Sequence, residues 1–142
     1  MTADLQHADP QTFNWMLASF VHNTDGVRDA VAVSSDGLLI AMSEGVDRTA
    51  ADRLAAIVSG LSSLSKSAAR SYDFDGLKLI MIEMQRGFLL ASAIADGSCI
   101  GVIADSSCDI GLVGYEIAKL GERAGTLLTP ALIGELRETL RR

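Results

Sequence analysis

Few side chains in this 142-residue sequence are of the types that carry out acid-base, nucleophilic or metal chemistry. The two histidines, His7 and His22, lack the spaced histidine or carboxylate partners that a catalytic metal needs. The sequence contains neither the G-x-S-x-G motif of serine hydrolases nor a Walker A phosphate loop. It therefore predicts no catalytic residue, no bound cofactor and no metal site.

The two cysteines are the remaining candidates for chemistry. Cys99 alternates with apolar residues of a predicted strand, so we expect a small buried hydrophobe. Cys108 precedes a predicted helix, and a helix N-terminus can lower the pKa of a thiol. A lone cysteine without a histidine partner is a weak indication of a nucleophile, so a thiol enzyme using Cys108 ranks last among the hypotheses.

The composition predicts one domain with an aliphatic core. Hydrophobic residues make up 49% of the chain and aromatic residues only 5%, and the formal net charge is -6. An acidic chain lacks the basic patches that bind nucleic acid or anionic membranes nonspecifically. There is no signal peptide and no apolar stretch of about 18 residues. We therefore expect a cytoplasmic protein with no nucleic-acid partner and no direct membrane insertion.

The periodicity of apolar residues predicts the order α-β-β-α-β-β-β-α. The expected helices cover about 11–24, 47–70 and 109–128, and the expected strands cover 27–34, 38–43, 77–84, 88–95 and 98–104. Short turns such as Asp36-Gly37 and Asp96-Gly97 force antiparallel neighbours. The strands are apolar on both faces and need helices on both sides, which predicts a three-layer sandwich. The expected division is a frayed tail at 1–10, a domain at 11–128 and a C-terminal helical extension at 129–142.

The second predicted helix, with Asp47 as its N-cap, carries the most unusual surface. We expect its core-facing stripe to be Leu54, Ile57, Val58, Leu61, Leu64 and Ala68. Beside this stripe lies a row of mostly small residues, which Ser59 and Ser62 adjoin: Arg53, Ala56, Gly60, Ser63 and Ser67. No charge occurs between Arg53 and Lys66, and Gly60 costs about 1 kcal/mol relative to alanine. The row predicts contact with another helix, and the alternative is a neutral serine- and alanine-rich surface without a role.

Glu83 is the one carboxylate inside an apolar predicted strand, at 77–84. A charge pointing inward can protect the edge of a sheet from unwanted pairing, or a partner can neutralise it. Both interpretations give Glu83 a structural role rather than a catalytic one.

Several segments in the same order resemble the Roadblock family of dynein light chains and bacterial GTPase regulators. They are Thr24–Arg28, the hairpin Ala30–Ala41, the long second helix and the hairpin Glu83–Leu90. The resemblance covers about residues 13–128. Phe13–Leu17 and Thr129–Leu132 are most similar to the actinobacterial branch of that family.

The resemblance implies a profilin-like α/β (α+β) sandwich, in which a five-stranded antiparallel sheet has one long helix on one face and two on the other. It also implies a non-enzymatic homodimer that binds a Ras-like small GTPase across its paired second helices, some relatives accelerating GTP hydrolysis. The expected dimer or partner interface consists of Arg53, Ala56, Ser59, Gly60, Ser63, Ser67, Leu79, Met81 and Glu83. A sensor-kinase-like membrane protein is a further expected partner, through which the protein would reach the membrane. If an arginine finger existed, Arg48, Arg53 or Arg70 would supply it.

A small-molecule-sensing domain of the PAS, GAF or profilin type is the alternative from another class. Such domains need an internal pocket with a few convergent polar groups. The predicted strand interiors offer mostly aliphatic side chains, so this hypothesis ranks below the adaptor.

Overall fold

The computed structural model describes residues 9–94 and 96–141. The helices and strands in chain order are α1 (Pro10–Asn23), β1 (Val27–Val33), β2 (Leu39–Met42), α2 (Arg48–Ser71), β3 (Leu79–Met84), β4 (Gly87–Ala93), β5 (Cys99–Asp105), α3 (Ile110–Leu127) and α4 (Pro130–Arg141). This is the predicted order, and α4 lies within the segment predicted as a C-terminal helical extension. The element bounds differ from the predicted ones by one or two residues at most ends.

The five strands form one antiparallel sheet in the spatial order β2-β1-β5-β4-β3. The β1–β2 connection is the tight turn predicted at Asp36-Gly37, where Gly37 has a φ of +85° and donates its N–H to the Ser34 carbonyl. The sheet confirms the fold class predicted from the sequence. Its two edge strands are β2 and β3.

Helices cover both faces of the sheet and divide the core into two clusters. On one face α1 and α3 pack through buried residues such as Phe13, Leu17 and Ile117. On the other face α2 packs through Ala51, Ala55 and Val58. The sheet is apolar on both sides because each side is covered, which confirms the predicted three layers.

Three aspartates fix where the helices begin. The carboxylates of Asp9, Asp47 and Asp109 accept hydrogen bonds from backbone N–H groups three residues later, at 2.8, 2.8 and 3.2 Å. A side-chain acceptor at this position satisfies one of the N–H groups that the first helical turn leaves free. The predicted N-cap at Asp47 is confirmed.

The C-terminal helix α4 packs along β2 and into the core. Leu132 and Leu136 are buried with α1 and α3. Arg137 donates from Nη2 to Asp36 Oδ1 at 2.7 Å and to Ser34 Oγ at 2.7 Å, and Arg48 donates to the Leu140 carbonyl at 3.1 Å. Thus α4 covers one edge of the sheet and leaves β3 as the other edge.

The predicted domain division stays a prediction. Residues 1–8 of the expected frayed tail lie outside the described residues, and Pro10 already belongs to α1. The segment predicted as a helical extension contains α4, which contributes two side chains to the core.

Candidate functional site

The rotation of α2 on the sheet differs from the sequence prediction. Its buried residues are Ala51, Ala55, Val58 and Ser62. Of the predicted core stripe, Val58 is buried, whereas Ile57 and Leu64 are exposed to 45% and 72%. The prediction of the stripe was therefore wrong for Ile57, Leu64 and Ala68, whereas Leu54 packs against the core beside Val58. The small side chains of Ala51 and Ala55 allow the helix to lie closer to the sheet than leucines would. Gly101, on the sheet beneath Val58, provides the matching space.

We call the solvent-facing side of α2 the outer face. It contains residues from both the predicted core stripe and the predicted small row. Its members are all exposed: Arg53, Ala56, Ile57, Gly60, Ser63, Leu64, Ser67 and Ala68. Nothing lies within 4 Å of the position that a Cβ on Gly60 would take. An exposed helix surface with two large apolar side chains and one charge is unusual for a solvated face.

Ser59 differs in its surroundings from the exposed residues of the small row. It is half-buried, and its Oγ lies 2.8 Å from the position that a Cβ on Gly37 would occupy. Ser59 therefore packs against the β1–β2 turn and is not part of the outer face, and its place in an interface stays a prediction.

The aromatic pair at the end of α2 adds to the exposed apolar surface. Tyr72 and Phe74 are exposed to 71% and 73%, and their rings stack with centroids 5.8 Å apart. Asp73 between them has a φ of +56°, which brings the two flanking rings to one side of the chain. The sequence predicted only that the second helix ends before this segment, at about residue 70.

The three predicted interface residues of β3 lie on the opposite face of the sheet from α2. The Met81 Cε lies 3.8 Å from the position of a Cβ on Gly114 of α3, which places Leu79, Met81 and Glu83 on the α3 side. Alternation puts Ile80, Ile82 and Met84 on the α2 side. These last three residues share a face of the sheet with α2, and sequence reasoning missed them although alternation along β3 indicates them.

The edge strand β3 is largely exposed. Leu79, Met81 and Met84 are exposed to 38%, 47% and 52%. Glu83 is also exposed, opposite Phe88 of β4. Because Glu83 reaches solvent, its charge needs no buried partner. The carboxylate lies on an edge strand that could pair with another strand.

The three arginines that could supply an arginine finger differ in their contacts. Arg48 is held by Asp52, at 3.1 Å from Nε to Oδ1, and by the Leu140 carbonyl. Arg53 is exposed on the outer face, and Arg70 lines an open groove at the end of α2. Only Arg53 among them points in the same direction as the exposed apolar side chains of α2.

Neither cysteine has the environment of an activated thiol. Cys99 is 4% exposed, as predicted for a buried hydrophobe, and its Sγ lies 3.1 Å from Ser62 Oγ. Partial burial raises the pKa of the Cys108 thiol, and the carboxylates of Asp105 and Asp109 raise it further. A raised pKa is the opposite of the activation that a helix N-terminus can give.

Two large open grooves lie at one end of the sheet, among the residues that the structure describes. They have volumes of about 720 and 740 Å³ and flank Leu77, one against the end of α2 and one against α3. Within residues 9–94 and 96–141 there is no group of three histidine, cysteine, aspartate or glutamate side chains placed to hold a metal. None of the helices in this part of the chain has the length and hydropathy of a membrane span.

Comparisons with known proteins agree with this geometry. The family model of the Roadblock/LC7 domain matches residues 13–104. The crystal structure of a Roadblock/LC7 domain from Streptomyces avermitilis is 28% identical, with a TM-score of 0.71 over 91% of this chain and 98% of that chain. Myxococcus xanthus MglB shares the fold at 17% identity, with a TM-score of 0.73 over 80% of this chain and 91% of that one. Profilin II of Acanthamoeba castellanii also shares the fold, at 15% identity and a TM-score of 0.54 over 80% of this chain and 96% of that one. A comparison with curated proteins gave no match.

Proposed function

Because this chain belongs to the Roadblock/LC7 family, we propose that it is a non-enzymatic, dimeric adaptor that regulates a Ras-like small GTPase. The observation that carries the proposal is the outer face of α2, which exposes Ile57 and Leu64 around Gly60 with Arg53 as its one charge. The regulatory role itself rests on the family resemblance.

The two edges of the sheet support β3 as the place where two copies join. Helix α4 covers the β2 edge, whereas β3 presents its backbone and the exposed Leu79, Met81 and Met84. An uncovered edge strand pairs readily with another strand. Pairing of β3 with β3 of a second copy would continue the sheet and place both α2 helices on the same face of it.

The sequence of α2 suits a twofold antiparallel contact centred on Gly60. Residues at equal distances on either side of Gly60 would face each other, since a twofold axis exchanges them. Large side chains then meet small ones, because Leu64 faces Ala56 and Ile57 faces Ser63. Alternation of large and small residues across the contact, with glycine at the crossing point, allows close packing of two helices.

The proposed GTPase would dock across the paired α2 helices of the dimer. The residues that β3 contributes on that side are Ile80, Ile82 and Met84, whereas Leu79, Met81 and Glu83 would line the opposite side of the joined sheet. If the dimer accelerates GTP hydrolysis, we propose that it does so by positioning elements of the GTPase. Arg48 is bound to Asp52 and Leu140, so it would have to break these contacts to reach a nucleotide.

The direct test is binding to a Ras-like GTPase from the same organism, loaded with GDP or with a non-hydrolysable GTP analogue. We expect a complex on gel filtration that forms preferentially in one nucleotide state and that Gly60→Glu abolishes. Gly134→Glu is the matched control, because Gly134 is also an exposed helical glycine with open space around it. Absence of a complex in both nucleotide states would contradict the proposal.

The small-molecule-sensing alternative gains no support from a specific observation. It requires an enclosed pocket with convergent polar groups, and the large spaces along the described residues are open grooves beside Leu77. The sensor-kinase-like membrane protein remains a proposed further partner that would recruit the complex to the membrane.

A further inference from the structure

A second exposed apolar surface lies on the face of the sheet opposite α2. Trp15 of α1 and Leu112 and Tyr115 of α3 are exposed to 63%, 46% and 61%. Trp15 is the only tryptophan of the chain. Large exposed aromatic side chains on a soluble surface are typical of positions that bind a partner.

Two of these residues border a groove of about 330 Å³ between α1 and α3. Trp15 lines it from α1 and Leu112 lines it from α3. Its walls include the buried side chains of Met16, Phe20 and Leu120, which belong to the core. A concave apolar surface between two helices can accept the apolar side chains of a peptide segment.

The charges along the groove are predominantly basic, in contrast to the acidic chain. Lys119 and Arg123 line it together with Glu116. Glu116 Oε1 lies 4.0 Å from Lys119 Nζ. The same Nζ lies 5.2 Å from the centre of the Tyr115 ring. Among the described residues no carboxylate forms an ion pair with Arg123. One basic charge of the groove is therefore left for a ligand to neutralise.

We propose that the α1–α3 groove is a docking surface for an acidic amphipathic segment of a partner protein. An apolar side chain of the segment lies between Trp15 and Leu112, and its carboxylates face Arg123 and Lys119. The opposite charges of groove and segment select this occupant, because a basic segment would add repulsion at Arg123. The proposal does not rest on the proposed GTPase role, since the groove lies on the other face of the sheet from α2.

Trp15 provides a direct readout on the full-length chain. The probe is a synthetic amphipathic helical peptide of about 14 residues with leucine on one face and glutamate on the other, and its matched copy has lysine in place of every glutamate. We expect the glutamate peptide to shift the Trp15 emission in a saturable way and to bind about tenfold more tightly than the lysine peptide. Leu112→Ser should weaken the binding of the glutamate peptide.

Charge reversal tests whether the groove itself selects the peptide. In Arg123→Glu combined with Lys119→Glu, the preference should change to the lysine peptide, which also shows that the variant is folded and binds. Arg86→Glu, at the exposed turn between β3 and β4, is the matched control and should keep the original preference. Equal affinity for both peptides, an unchanged preference in the double variant, or no binding of either peptide would overturn the proposal. The α2 variant Gly60→Glu should bind the peptide normally, so this test and the GTPase test can fail separately.

Discussion

Val58 of α2 packs directly onto Gly101 in the middle of the sheet. The Val58 Cγ2 lies 2.6 Å from the position that a Cβ on Gly101 would occupy, and Val31 Cγ2 lies 3.3 Å from the same point. This close approach fixes the rotation of the helix on the sheet. It places Ile57, Gly60 and Leu64 on the outer face, on which the proposed function depends.

Gly101→Ala should destabilise the protein, because neither Val58 nor Val31 has a flexible side chain that can move aside. Overpacking of this kind costs about 1–3 kcal/mol, and urea unfolding followed by circular dichroism would measure it. Gly134→Ala is the control, since its methyl group meets open space and should stabilise α4 by up to about 1 kcal/mol. Equal stability of Gly101→Ala and wild type would contradict the packing of α2 described here.

Asp36→Asn should weaken the attachment of α4 to the β1–β2 turn in a pH-dependent way. The hydrogen bond from Ser34 and the charge of Arg137 hold the pKa of the Asp36 carboxyl below its usual range. A lowered folded-state pKa contributes stability above the unfolded pKa, and this contribution is lost as the pH falls through the folded value. The variant should therefore be less stable than wild type at pH 7.

The magnitude of this effect is below about 1 kcal/mol, because the Asp36 side chain is 56% exposed and solvent screens the pair. Wild type and variant should converge in stability as the pH falls below about 4. Thermal unfolding at a series of pH values measures the difference. A difference that stays constant from pH 7 to pH 3 would show that the carboxylate charge has no part in it.

Cys108 should react slowly with iodoacetamide at pH 7, more slowly than free cysteine. Partial burial and the two nearby carboxylates raise its thiol pKa, so less of the reactive thiolate is present at neutral pH. Mass spectrometry of the peptide that contains Cys108 gives the rate, and the urea-unfolded chain provides the reference. A rate above that of the unfolded chain would restore the hypothesis of a thiol-based activity.

Arg53→Ala should change the GTP hydrolysis rate of the bound GTPase by much less than loss of an arginine finger would. A finger contributes a factor of roughly 10³–10⁵ to hydrolysis, whereas a positioning mechanism depends on the paired α2 helices as a whole. Single-turnover hydrolysis at saturating protein separates this effect from weaker binding. A fall of the rate to that of the GTPase alone would identify Arg53 as a finger.

The fold could be predicted from the sequence because each element carries its own local signals. Asp47 marks the start of α2, and Asp36-Gly37 marks the first hairpin. Strands that are apolar on both faces indicate cover on both sides, so the layers follow without knowledge of the contacts. The packing of α4 on β2 could not be predicted, since Arg137 and Asp36 are far apart in sequence.

The candidate site was predicted only in part, for a reason that lies in α2 itself. The helix has two apolar sides, and hydrophobicity alone assigned the side with Leu64 to the core. Ala51 and Ala55 occupy the core instead, because Gly101 lets the helix lie close to the sheet. The small row around Gly60 was placed on the surface correctly, although the exposed Ile57 and Leu64 beside it were not foreseen.

The central claim is that the outer face of α2 joins two copies of the chain, and the molar mass of Gly60→Glu in solution tests it most directly. Multi-angle light scattering after gel filtration should give a dimer for wild type and for the control Gly134→Glu, and a monomer for Gly60→Glu. Circular dichroism should show the same helix content in all three proteins. A Gly60→Glu protein that remains dimeric, or a wild-type protein that is monomeric at the same concentration, would contradict the account.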